Sequence, residues 1–339
     1  MSKIDQEFQN LCRKIVTEGR EYENKNRGVK RLQIPSYTLR HEFKDGFPAI
    51  TNKKLYWKGI VTELIWFLRG DNDVKFLNDN NVKIWNKDAY NWYVKHHSGN
   101  TSDNTGLVEN PDGSFRMLTF EEFEKQGVGS VGQNYSAQWR NFNGNTDQIS
   151  NLLQEMASDI MSSRLKVNAW NPSELNLTAL PACHSEFQVI SVPLSLEERR
   201  EIAGESFFTE TALNDLGIPE FGFELHWNQR SVDTFLGLPF NIASYGLLAK
   251  ILEQLTGYKA LAIEGTLKCV HFYDNQYEAV DELLKRDPNR HGKCAVRLAE
   301  KIGNTLDEIL DNYNLADFKL VGYTSDEEIK VEMLAPKEL

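Results

Sequence analysis

Near the start of the chain the apolar positions fall at Phe8, Leu11, Cys12, Ile15 and Val16, a three-and-four spacing that predicts an amphipathic helix over residues 5–18. The same spacing returns over Trp57–Leu68, carried by Ile60, Leu64 and Phe67, and over 147–161, carried by Ile149, Leu152, Leu153, Met156 and Ile160. The longest helix is expected from about Ile242 to Thr256, with Gly257 where a C-terminal stop belongs, and a shorter one over 277–285. Strand patterns lie between them, at Val167–Trp170, Phe187–Val192, Phe223–Trp227 and Lys319–Tyr323. In Phe223–Trp227 the alternation with Glu224, His226 and Asn228 predicts one buried face and one wet one. Two stretches interrupt this order. Residues 94–128 are polar and rich in Gly, Asn and Ser, and residues 193–221 carry the run EERRE and the turn GIPEFG. Both are expected to be surface excursions from a compact core, solvated loops or a small subdomain without chemistry. No internal repeat is present.

Composition narrows the class. The 339 residues suffice for one large domain or for two small ones, and 40% hydrophobic with 26% charged residues is ordinary for a globular protein. A net charge of −11 argues against a general nucleic-acid binder, although a few local arginines can still hold one small phosphorylated ligand. Cys12, Cys183, Cys269 and Cys294 are scattered, with neither a CxxC pair nor a metal-like cluster, so no metal is expected and a reducing compartment fits best. The polar start and the lack of a long apolar run point to a cytoplasmic protein without a membrane segment.

Candidate chemistry sits in four places. Glu63 flanks the apolar stripe of its helix; a desolvated carboxylate there suits general acid–base work, while a surface Glu with its stem packed on an aromatic is the plainer alternative. Cys183, in LPACHSEFQ, follows a Pro-containing turn and precedes an apolar strand, a junction that can aim a thiol; a buried structural cysteine is the competing reading, and the one to expect for Cys12. His184 does not make a pair with Cys183, because neighbouring strand residues point apart. In QRSVDTFLGLPFNIASY (229–245), Arg230 and Asp233 end a strand, a Gly-Leu-Pro turn follows and Asn241 opens a helix, which puts a guanidinium, hydroxyls and an amide near a helix N-terminus; Asn241 as a simple N-cap is the alternative. His271 and Tyr273 alternate on the strand-like run CVHFYDN and share one face; a half-buried strand with two polar tips is the plainer alternative.

Together and in this order, DGFPAITNKK (45–54), TELIWFLRG (62–70), QWR (138–140), VNAWN (167–171), LPACH (180–184), QRSVDTFLGLPFNIASY (229–245) and VHFY (270–273) resemble the family of thymidylate synthase and its related pyrimidine hydroxymethylases. The resemblance spans nearly all of the chain outside the two excursions. It implies an α/β (α+β) fold, a single thymidylate synthase-like domain over 1–339 with a large twisted mixed sheet and flanking helices, paired sheet to sheet in a homodimer. It implies dUMP as substrate and 5,10-methylenetetrahydrofolate as co-substrate. Cys183 then matches the nucleophile that adds to C6 of the base, Glu63 the carboxylate that organises proton transfers, and Tyr135 and Asn171 the polar lining beside it. Arg230 and Ser231 match phosphate ligands, Gln229 a neighbour of the nucleotide, His271 and Tyr273 the pair on the sugar 3′-hydroxyl, and Trp85 and Asp233 folate contacts. Asn241 matches the base-reading amide, which relatives acting on dCMP replace by Asp, so the expected base is uracil.

Departures from the family pattern bear on partner and product. Arg164 matches the second of two arginines that cross the dimer to the partner's phosphate site, but the first is Ser163; Arg27 or Arg31 is a candidate to supply the charge. The second folate-side tryptophan is Asp88, Asn134 precedes Tyr135, and the tail MLAPKEL is more charged than the family's apolar end. These weigh toward a dUMP hydroxymethylase, in which water ends the reaction, over a thymidylate synthase, in which hydride from the folate does. An inert nucleotide-binding relative is the third reading, disfavoured because binding alone needs neither Glu63 nor Cys183.

Overall fold

The computed structural model describes residues 3–24, 29–98, 106–299 and 302–332. They form two compact units interleaved along the chain, one drawn from Met1–Tyr56, Ile149–Val167 and Cys183–Met333, the other from Trp57–Gln148 and Asn168–Ala182.

The first unit is built on a seven-stranded mixed sheet. Its order is β1 (Arg20–Asn24), β2 (Val29–Glu42), β9 (Lys259–Tyr273), β7 (Phe221–Gln229), β6 (His184–Pro193) and β5 (Lys166–Asn168), with β8 (Val232–Asp233) paired to the end of β9. β7 and β8 run parallel to β9, whereas β2 with β9 and β6 with β7 are antiparallel. β7 alternates as its sequence requires: Phe223, Leu225 and Trp227 are buried, while Glu224, His226 and Asn228 are not. The buried face receives α10 (Gly237–Thr256), whose Leu238, Ile242, Leu247, Leu248, Ile251 and Leu252 are all buried, so this helix is apolar almost all round, as a central helix must be. α10 begins at Gly237, earlier than the apolar spacing predicts. Pro239 falls in its first turn, where no backbone N–H is needed, and the expected turn is therefore already helix. α1 (Lys3–Glu18) buries Ile4, Phe8, Leu11 and Ile15 against β2 and α11 (Tyr277–Lys285). α7 (Gln148–Ser158) buries Ile149, Leu152 and Met156. The strand expected near 319–323 exists as β11 (Phe318–Val321), but among the described residues it pairs only with β10 (Ala295–Leu298), after which α12 (Leu306–Asp311) intervenes.

The second unit is helical. α2 (Trp57–Arg69) packs on α6 (Tyr135–Asn141) through an aromatic cluster, with Phe67 4.9 Å from Tyr135 and 5.6 Å from Trp139 between ring centroids. α3 (Lys75–Asp79) follows, and α4 (Asn86–His97) meets α5 (Phe120–Gln126) through Tyr90 and Phe123.

The two excursions are more structured than their composition suggests. In 94–128 the chain completes α4, makes the hairpin β3 (Val108–Glu109) and β4 (Phe115–Arg116), and forms α5 behind a Thr119–Glu122 capping box; residues 99–105 lie outside the described set. In 193–221 it forms α8 (Leu196–Ala203) and α9 (Glu210–Asp215), tied together by buried Arg199, which donates to Asn214 and to the carbonyl of Ile218 at 2.7 Å. Among the described residues no helix is long and apolar enough to cross a membrane.

Candidate active site

In the first unit the strand ends of the sheet gather most of the expected residues. β6 and β7 pair His184 with Gln229, and the backbone N–H of Arg230 donates to the carbonyl of Cys183 at 2.8 Å. A register shift between His184 and Glu186 marks a bulge next to the thiol, a device that re-aims a side chain. Cys183 is half-buried, in contrast with Cys12, which is fully buried with its thiol pushed up to about 12 by desolvation. His184 does not serve as its base. It is buried, its pKa is driven down to about 3 by desolvation, and its Nδ1 lies 2.9 Å from the Tyr245 hydroxyl.

Asn241 lies one turn inside α10, so it is not an N-cap. Its Oδ1 accepts from Gln229 Nε2 at 3.0 Å. Gln229 is held in turn, because Nε2 also donates to the Ser231 carbonyl at 3.3 Å and Oε1 accepts from the Trp227 indole at 3.2 Å. Asn241 therefore presents Nδ2 as a donor and one remaining Oδ1 lone pair as an acceptor, the complement of an imide edge in which N–H adjoins C=O.

At the end of β9, Asp233 is in register with His271 through β8. His271 is buried, with Nδ1 2.7 Å from the Cys269 carbonyl. A carbonyl only accepts, so Nδ1 carries the hydrogen and Nε2 is an acceptor, and that buried Nε2 has no partner among the described residues. Cys269, which supplies that carbonyl, stands at φ 46°, in the left-handed region that non-glycine residues seldom adopt. Tyr273 packs edge-on to His271 at 4.8 Å. Arg31 is directly across from Tyr273 on β2; burial lowers the His271 pKa, and the Arg31 charge adds to that in the same direction, while Arg27 lies outside the described residues. Asp233 is committed to structure: it accepts from Gln276 Nε2 at 3.1 Å and from the Leu236 backbone at 3.0 Å where α10 begins. Arg164 is well exposed and pairs with Glu155 at 2.8 Å.

The second unit holds the carboxylate. Glu63 is not a surface residue: it is half-buried, and desolvation raises its pKa to about 7, against the smaller opposing pull of the Trp85 indole, which donates to Oε1 at 2.7 Å. A carboxyl titrating there can both give and take a proton near neutrality. Tyr135 is buried 6.2 Å from the Trp85 ring. Asn171 is engaged locally, donating to Asn143 at 2.8 Å and to Gln138 at 3.2 Å while accepting from Ser173 Oγ at 2.7 Å. Asp88 is half-buried, and desolvation lifts its pKa to about 6. Asn134 is buried with neither amide atom partnered among the described residues.

Two residues near the site were not among the expected site residues. Lys53 is buried on the Phe235 ring, donates to the Phe235 carbonyl, and is driven down to about 8 by desolvation. Trp227 was readable, since it lies two residues before Gln229 on the same strand face. Among the described residues no group of three or more His, Cys, Asp or Glu side chains is arranged to hold a metal ion.

The family profile described as thymidylate synthase matches residues 6–335. The chain belongs to the thymidylate synthase family. It is 33% identical over 325 residues to a thymidylate synthase of Malacoplasma penetrans, covering 96% of this chain and 98% of the relative. The match to the thymidylate synthase of Mycoplasma mobile is 32% over 329 residues, covering 97% and 99%, and to that of Phytoplasma mali 34% over 286 residues, covering 84% and 86%. These relatives lend no support to the hydroxymethylase expectation and favour the synthase alternative.

Proposed function

We propose that this enzyme transfers a one-carbon unit from 5,10-methylenetetrahydrofolate to C5 of dUMP and releases dTMP and dihydrofolate. The observation that carries the substrate is the Gln229–Asn241 bond, which fixes a donor–acceptor pair matched to N3–H and O4 of uracil. Cys183 attacks C6 through its thiolate, C5 gains carbanion character, and C5 bonds the one-carbon unit. Glu63 moves the protons this requires, including those at O4 and at the departing folate nitrogen, with Trp85 orienting its carboxylate. Loss of the C5 proton and the folate amine leaves an exocyclic methylene on C5. Hydride from the folate reduces it to methyl, and Cys183 is expelled. His271 Nε2 accepts the sugar hydroxyl hydrogen, Arg230 and Ser231 hold the phosphate, and Trp85 and Asp233 border the folate.

The relatives named thymidylate synthase support the reductive ending. The polar substitutions Asp88 and Asn134 are then variations within a synthase. The test is incubation with dUMP and methylenetetrahydrofolate, with the nucleotide identified by mass and dihydrofolate followed by absorbance. The expected result is dTMP with stoichiometric dihydrofolate. 5-Hydroxymethyl-dUMP with tetrahydrofolate overturns the ending, and no folate-dependent loss of C5 tritium overturns the function.

A further inference from the structure

We infer that Trp227, which is too deep in the sheet to touch substrate, is a positioning residue that sets the choice of uracil over cytosine by fixing the amide orientation of Gln229 and, through it, of Asn241. This rests on the reading of Asn241 as the group that meets the base.

The logic is one of donors and acceptors. The Trp227 indole can only donate and the Ser231 carbonyl can only accept, and both contact the Gln229 amide, at 3.2 and 3.3 Å. Only one orientation of Gln229 satisfies both, with Oε1 toward the indole and Nε2 toward the carbonyl. That orientation turns Nε2 to Asn241 and makes Asn241 Oδ1 the accepting atom, at 3.0 Å. Cytosine offers an acceptor at N3 and a donor at N4, so Asn241 has to flip to receive it. Its Nδ2 then faces Gln229 Nε2 unless Gln229 flips as well. A flipped Gln229 turns Nε2 against the indole N–H and withdraws the donor from Ser231, leaving buried groups unpaired.

Trp227 itself cannot yield. It is buried, its ring is stacked on Tyr245 at 4.9 Å with 13° between planes, and its other side lies on Gly265, directly across on β9. A Cβ at Gly265 would come within 2.4 Å of the indole, so only glycine leaves room for it. The indole is held between a ring and bare backbone, and its N–H has one direction.

The experiment compares kcat/KM for folate-dependent tritium release from C5-labelled dUMP and dCMP in the wild type and in Trp227→Phe, each with Asn241 and with Asn241→Asp. In Trp227→Phe the dUMP/dCMP ratio is expected to fall about tenfold, through a rise in dCMP turnover, because no N–H remains to oppose the flip. In the Asn241→Asp background Trp227→Phe should leave the ratio unchanged, since a carboxylate accepts from Gln229 either way round. A benzothienylalanine at position 227 keeps the shape and the stack, removes only the N–H, and should match the Phe variant. An unchanged ratio, or an equal loss for both nucleotides, overturns the inference. A wild-type enzyme inert toward dUMP instead overturns the function on which it rests.

Discussion

Glu63 shows how one hydrogen bond tunes a site. Desolvation lifts the carboxyl from 4.5 to about 7, and the Trp85 N–H is the opposing influence. Trp85→Phe removes that donor, so the pKa rises further, and the Glu63-dependent limb of the kcat/KM profile is expected to move to higher pH. An unmoved limb means the indole does not tune the carboxyl. Stability follows the same titration. The folded state holds a proton on Glu63 between about 4.5 and 7 that the unfolded chain has released, so stability falls as pH rises across that window. Glu63→Gln should flatten this part of the curve, as read by denaturant midpoints at several pH values.

Among the elements, α1 and α11 were legible because each buries a single stripe, α2 because its apolar residues recur at helical spacing although most of the helix is buried, and Phe223–Trp227 because one face is wet. β2 and the full length of β9 were not, since both mix buried and exposed positions without clean alternation. The start of α10 was missed because Gly and Pro read as a turn, although both are tolerated at a helix N-terminus. Within the candidate site, residue types and order were readable, but the partners that orient them were not: Gln276 on Asp233, Gln229 on Asn241, and the Cys269 carbonyl on His271 are long-range or conformational facts. The contrast between core and excursion is measurable. Leu248→Ala in α10 should cost about 2–5 kcal/mol in chemical unfolding, whereas Leu196→Ala, exposed at the start of α8, should stay within about 0.5 kcal/mol. Equal costs would contradict these burial assignments.

For the molecule as a whole, a net charge of −11 makes every cation near a dianionic nucleotide count. Arg164 pairs at the surface with Glu155, an exposed ion pair that solvent screens, so its release is cheap. If it crosses to a second copy's phosphate site, Arg164→Ala should raise the KM for dUMP about tenfold with a smaller effect on kcat; an unchanged KM removes it from that role. The orientation of Asn241 carries a cost at the other end of the reaction. In the proposed function it reads the base through N3 and O4, and a methyl group at C5 alters neither, so dTMP should satisfy the same clamp as dUMP. A clamp proposed to select uracil over cytosine gives no help in letting product go. Turnover therefore depends on the departure of the folate and the breaking of the Cys183 bond to loosen the pocket, and dTMP is expected to compete with dUMP as an inhibitor.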